Sequence, residues 1–158
     1  AGPLTGVRIA DLTWLLAGAG GPRMLAAMGA EVIRVEWKNK LDFLRNGGSV
    51  VLPGEEVIQG PFGPTSREAM LSINRNGNFN DINPGKRGIS LNLTKPEGKE
   101  LFLKLVAISD IVMENYSATA MEEMGLGWDV LREVNSAQTN AQSKQTQLMT
   151  GQPVEFTT

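Results

Sequence analysis

Residues 7–37, VRIADLTWLLAGAGGPRMLAAMGAEVIRVEW, decide the fold. The opening VRIADL reads as a short buried strand, rich in aliphatic side chains. TWLLAGAGGP at 13–22 then reads as a glycine-rich turn, and Pro22 suits the first turn of a helix, where its missing N–H has no partner to lose. RMLAAM at 23–28 favours helix, and Gly29 stands where a helix end needs a left-handed residue. EVIRVEW at 31–37 alternates in strand fashion. Strand, helix and strand within about 30 residues form a βαβ unit, which predicts a parallel sheet with a right-handed crossover.

The same grammar extends outward. RGISLNL at 87–93 resumes strand character, and DIVME at 110–114 is a fourth strand. Between them Thr94-Lys95-Pro96-Glu97 has the spacing of a capping box, with Thr94 as N-cap, and Leu101, Leu105 and Ile108 form a stripe flanked by Phe102 and Val106. Thr119 and Glu122 repeat the capping spacing, opening a short helix that ends at Gly125, and 128–134 is another short helix. Residues 38–84 break the pattern with Gly47-Gly48, Pro53-Gly54, Gly60-Pro61 and Gly63-Pro64. So long an irregular excursion contacts a ligand or partner, or hides a short helix near 66–73. Residues 136–158 hold five of the six glutamines and five threonines, which predicts disorder or a segment held only by a partner. There is no internal repeat. The expectation is an α/β fold: a Rossmann-like parallel sheet over 1–135, with an irregular excursion at 38–84 and a polar tail at 136–158.

Composition removes most chemistries. The 158 residues include no histidine and no cysteine, which excludes Ser-His-Asp and Cys-His nucleophilic catalysis, disulfides and nearly every zinc or iron–sulfur site. Carboxylate, lysine, hydroxyl and backbone chemistry remain, and no metal is expected. With 15 basic and 17 acidic side chains there is no global attraction to nucleic acid. The charge is uneven, however: residues 34–87 carry eight basic and six acidic side chains, against five and nine in 94–158. A small anionic ligand finds its cations in the middle of the chain. No apolar run nears the ~20 residues that span a bilayer, and no signal pattern opens the sequence, so the expectation is a cytoplasmic protein without a membrane partner.

Several residues invite functional readings beside plainer ones. Gly18-Ala19-Gly20-Gly21 sits where a dinucleotide fingerprint would, and Glu36 where a ribose-binding carboxylate would. Arg23 occupies the third glycine position, though, so the glycines read more simply as a tight turn with close packing. Asp11 and Asp110 are strand-end carboxylates better suited to structural acceptor roles than to paired acid–base work. Lys86-Arg87 could hold a phosphate or end a strand in solvent, and Trp14, Trp37 and Trp128 could stack on a base or be half-buried.

In series, these segments resemble the beginning of family III CoA-transferases, the CaiB/BaiF family. The matching pieces are PLTGVRIADLT at 3–13, MGAEVIRVE at 28–36, KRGISLNL at 86–93, KPEGK at 95–99, DIVMENY at 110–116, MGLGW at 124–128 and LREVN at 131–135. The resemblance implies a Rossmann-like N-terminal domain that grips coenzyme A, in a longer chain forming an interlocked homodimer that exchanges CoA between a thioester and a small carboxylic acid. Carried onto this sequence, the CoA-binding positions are Leu16 and Ala17; Trp37 and Lys38; Leu91, Asn92, Leu93 and Thr94; and Asn115, Tyr116 and Ser117.

Four departures stand out. Ala17-Gly18-Ala19 lacks the proline usual in the first loop, and Ser117-Ala118-Thr119 stands where Pro-Gly usually follows. Glu123 replaces a frequent basic residue, which opposes the CoA phosphates. After Asn135 the likeness ends, before the aspartate nucleophile that would form a mixed anhydride with the acyl group. The racemase branch needs a histidine that is absent. The expectation is therefore a CoA-binding portion of a transferase with no catalytic residue of its own. The alternatives are a non-catalytic scaffold or interaction module and a dinucleotide-binding Rossmann domain, and self-association is expected.

Overall fold

The computed structural model describes residues 2–45, 51–60, 63–135 and 139–142. Its centre is a five-stranded, wholly parallel sheet of β1 (Arg8–Asp11), β2 (Glu31–Glu36), β5 (Arg87–Ser90), β6 (Ile111–Glu114) and β7 (Thr139–Gln142), in the order β5-β2-β1-β6-β7. Strands are added to one side of β1 and then to the other, so the order reverses between β1 and β6. Such a switch point opens a crevice at the strands' carboxyl ends.

Period-two alternation sends the strand residues to opposite faces. Ile9 and Val32 pack with Leu25 and Ala26 of helix α1 (Leu15–Ala27) on one face. Ala10, Leu12, Val35 and Val112 pack on the other with Phe102, Leu105 and Val106 of α4 (Pro96–Ala107). Met121 of α5 (Ala120–Glu123) and Leu131 of α6 (Trp128–Val134) complete that layer. Both faces are covered over β1, β2 and β6, as a parallel sheet requires, whereas the edge strand β5 is exposed along its length.

The glycine-rich turn expected at 13–22 is instead the first half of α1, which begins at Leu15 and keeps Pro22 inside it. Helix propensity is overridden by packing. Gly18 is buried, and a Cβ on it would lie 2.4 Å from Asn115 Cγ, so the helix reaches the sheet only because that side chain is missing. The helix ends as expected, with Gly29 at φ 101 just after its C-cap residue Met28.

Both capping boxes need correction. The N-cap of α4 is Lys95, not Thr94, and no side chain caps it. Asn92 Oδ1 has captured Thr94 instead, accepting from its amide at 3.0 Å and its hydroxyl at 2.8 Å. Thr119 does precede α5, but its hydroxyl donates to Glu123 Oε1 rather than capping the backbone.

The excursion is more ordered than its composition suggests. It contains a 3-10 turn at Phe43–Arg45, a hairpin of β3 (Val57–Gly60) and β4 (Gly63–Ser66), and helices α2 (Arg67–Leu71) and α3 (Gly77–Ile82). The helix expected near 66–73 is α2. Asn76 caps α3 by accepting from the Phe79 amide, and Phe79 and Ile82 pack against Ala19 and Leu44. In the tail, the expectation of disorder is overturned at residues 139–142, which pair in parallel with β6 as β7. Exposed N–H and C=O groups on β6 accept a neighbour whatever its side chains. Residues 136–138 and 143–158 lie outside the described residues.

Candidate functional site

The carboxyl ends of β1, β2, β5 and β6 surround a cavity of about 500 Å³, within the ~300–1,000 Å³ range of small-molecule sites. Leu12 and Trp14 follow β1; Val35 and Glu36 end β2, with Trp37 and Lys40 beyond them. Leu91, Asn92, Leu93 and Thr94 follow β5, Tyr116 follows β6, and Ala120, Glu123 and Met124 close the wall from α5. The floor is mostly aliphatic and aromatic, and the polar groups stand at the rim.

Of the residues carried over from the family, Trp37, Leu91, Asn92, Leu93, Thr94 and Tyr116 line this cavity. Leu16 and Ala17 occupy the first turn of α1 and are exposed. Lys38 is exposed at the end of β2, its amide donating to Ser90 Oγ at 3.3 Å, and Ser117 is exposed beyond β6. Asn115 turns to the backbone of Trp14. Leu12, Val35, Lys40, Ala120 and Met124 were missed. The first two were legible in principle as strand C-termini, whereas α5 reaches the cavity only through tertiary packing.

Beneath the rim lies a buried charge network. The register sets Asp11 of β1 beside Arg34 of β2. Lys86 Nζ pairs with Asp11 Oδ2 at 3.0 Å and donates to the Ala19 carbonyl, while Asp11 Oδ1 accepts from the Thr13 amide at 2.9 Å and from its hydroxyl. Burial pushes the Lys86 ammonium below its ordinary pKa, and Asp11 pulls it only part of the way back. Lys86 is therefore a structural cation and not a free phosphate ligand, and Arg87 pairs with Glu31 on the surface. Asp11 and Asp110 keep the structural roles expected of them, since Asp110 Oδ2 accepts from the Arg8 amide at 2.8 Å.

Arg34 pairs with Asp42 at 2.6 Å, and Glu36 with Arg45 through two oxygens at 2.8–3.0 Å. Glu36 also accepts from the Asp42 amide at 2.8 Å. Burial opposes its ionisation, but Arg45, that amide and Arg34 outweigh burial and hold its carboxyl below the usual range. Committed to these partners, Glu36 is not a free ribose acceptor. The Arg45 guanidinium also lies 3.7 Å from the Phe79 ring centroid, tying the excursion to the rim.

Trp14 and Tyr116 meet edge to face, their centroids 6.3 Å apart. Burial above all pushes the Tyr116 phenol up to about 12, so it stays a neutral hydroxyl near neutral pH. Trp37 shares the lining, whereas Trp128 stands away from it beside a small second cleft. Leu15, which opens α1, has φ 57, and its amide donates to Asp42 Oδ2 at 3.1 Å. A left-handed non-glycine residue costs about 1–3 kcal/mol and persists only where its surroundings hold it.

Among the described residues no group of three or more acidic side chains could hold a metal ion, and no helix is long and apolar enough to cross a membrane.

A wholly parallel sheet with its cavity at the strands' carboxyl ends makes this an α/β domain of Rossmann-like type. Within that class the chain belongs to CoA-transferase family III, whose family model matches residues 4–137. It is 37% identical over 134 residues to an acyl-CoA transferase of Fusarium pseudograminearum, covering 85% of this chain and 27% of that protein. The succinyl-CoA:mesaconate CoA-transferase of Haloarcula marismortui is likewise 37% identical, with 85% of this chain and 30% of that protein covered. The succinyl-CoA:glutarate CoA-transferase of Mus musculus is 38% identical over 127 residues, 80% of this chain and 24% of its own length. A CAIB/BAIF family protein from Brucella suis superposes with a TM-score of 0.69 at 28% identity, over 89% of this chain and 33% of that one. Rv3272 from Mycobacterium tuberculosis gives 0.68 at 31% identity, over 90% and 34%. The chain thus spans between about a quarter and a third of the length of these relatives.

Proposed function

We propose that this chain is the CoA-gripping portion of an enzyme that moves CoA between an acyl-CoA and a carboxylic acid, and that the cavity takes the nucleotide end of the thioester. The observation that carries this reading is the cavity's position, enclosed by segments that lie inside the family match. Trp14, Trp37 and Tyr116 offer aromatic surface to an adenine ring. Lys40 in the lining and exposed Lys38 beside it supply cations for phosphates. Glu36 is already neutralised by its arginines, whereas Glu123 opposes an anion and weakens the grip. Coenzyme A would contribute the thiol that carries the acyl group.

Acyl exchange additionally needs a carboxylate nucleophile, which we assign to sequence the relatives possess beyond the matched quarter to third. The 158 residues then bind CoA without turning it over. Calorimetric titration with CoA at low and high salt tests the first half. Saturable binding that weakens with salt is expected, no binding leaves a scaffold or interaction module, and tighter binding of NAD or FAD selects a dinucleotide site. Incubation with an acyl-CoA and succinate, oxalate or carnitine tests the second half, and any acyl exchange by this chain alone overturns it. Exposed Leu16, Met24 and Leu71 support self-association, and a sharp monomer in sedimentation at high concentration would sink that part.

A further inference from the structure

Asn115 and Trp14 face each other across the switch point, since Trp14 follows β1 and Asn115 follows β6. The Trp14 amide donates to Asn115 Oδ1 at 2.7 Å, and Asn115 Nδ2 donates back to the Trp14 carbonyl at 3.0 Å. The carboxamide therefore grips both polar groups of one residue's backbone. Exchanging its oxygen and nitrogen would set donor against donor and acceptor against acceptor, so its orientation is fixed.

A second element guards this grip. The Cβ of any residue other than glycine at position 18 would lie 2.4–2.7 Å from the Asn115 carboxamide atoms. On the far side, the Leu15 amide is held by Asp42 in a left-handed conformation that few side chains adopt freely. Trp14 is thus pinned from both directions, and its indole and Tyr116 are presented together to the cavity.

We infer that Asn115 is a positioning residue for ligand binding, acting through the Trp14 backbone and not by touching the ligand, and that Gly18 exists to leave its carboxamide room. This rests on the reading of the cavity as a nucleotide site. It also reassigns Asn115, which the family resemblance places among the direct CoA contacts.

The test uses the whole chain, with Trp37→Phe and Trp128→Phe in one background so that emission reports Trp14 alone. Affinity is measured with CoA in the otherwise unaltered chain, and denaturant midpoints verify folding. Asn115→Ala should weaken CoA by about 10-fold, because a freed Trp14 must be reordered on binding, and should shift Trp14 emission with no ligand present. Gly18→Ala should do the same from the helix side, which keeps the test alive if Asn115→Ala fails to fold. The Gly18→Ala/Asn115→Ala double variant should bind no more weakly than Asn115→Ala, because the clash has lost its target.

Weakened binding with unshifted Trp14 emission overturns the inference in favour of direct contact. Additive losses in the double variant overturn the role of Gly18. If the wild type binds CoA and Asn115→Ala binds equally well, the positioning role fails while the nucleotide reading stands. If the wild type shows no saturable CoA binding, the nucleotide reading fails and takes this inference with it.

Discussion

Lys86 Nζ lies 3.0 Å from Asp11 Oδ2 with both side chains enclosed, joining the residue before β5 to the last residue of β1. Neither charge could be buried alone. Lys86 also donates to the Ala19 carbonyl and Thr13 donates to Asp11 Oδ1, so the pair locks the start of α1 to the sheet.

Removing one partner of this pair should be far worse than removing both. Lys86→Met leaves the Asp11 carboxylate buried and uncompensated, a loss of about 3–5 kcal/mol. The Asp11→Asn/Lys86→Met double variant should recover part of that loss. Urea unfolding of the three variants is the measurement. A double-variant loss equal to the sum of the two single losses would show that the residues act independently.

Acid should undo the Glu36 contacts. The folded-state pKa lies below the ordinary glutamate value of 4.5, so the stabilisation is complete above that value and is lost as pH falls through the folded pKa. Glu36→Gln should lower the melting temperature at neutral pH and flatten its decline between about pH 5 and 3. An unchanged acid limb in the variant would assign the decline to other carboxylates.

Gly98 sets the wall of the cavity from beneath. Its Cβ would stand 2.0 Å from the Asn92 carbonyl oxygen, a backbone atom that cannot step aside as a side-chain tip could. Gly98→Ala should therefore cost about 1–3 kcal/mol by overpacking. It should also displace residues 92–94 and weaken CoA. Stability lost with affinity intact would show that the displacement runs away from the cavity.

Reversing the charge at the rim should help an anionic ligand. Glu123→Lys changes the local charge by two, which at about 10 Å in water-like surroundings is worth below about 1 kcal/mol per ligand charge. CoA affinity should rise a few-fold at low salt, and the gain should disappear at about 1 M salt, where charges are screened beyond about 3 Å. A gain that survives high salt would mean that packing, not charge, had changed.

Legibility followed the range of the interactions. Strands β1, β2, β5 and β6 and helices α4 and α6 could be read from alternation and apolar stripes, because those patterns express burial on one or two faces. Helix α1 could only be half read. Gly18, Gly20 and Gly21 weaken a helix locally, and the reason for tolerating them at Gly18, the Asn115 carboxamide, lies at the end of another strand. Thr94 failed as a cap because Asn92, two residues away, competed for its hydroxyl. Within the cavity, residues adjoining strand ends were foreseeable. Ala120 and Met124 were not, since they arrive on a short helix placed by Met121 and Leu126 in the core.

By itself the sequence determined the α/β class, the parallel sheet and the family, because periodicity and ordered motifs are local records of which face each element buries. Within these 158 residues it also excluded histidine and cysteine chemistry. Only the tertiary structure decided that Lys86 is a buried counter-ion and not a phosphate ligand, that Glu36 is consumed by Arg45, and that Asn115 holds Trp14. A charged or amide side chain has the same sequence signature whether it meets solvent, ligand or protein. Its role is fixed by the partner that folding brings within hydrogen-bond distance.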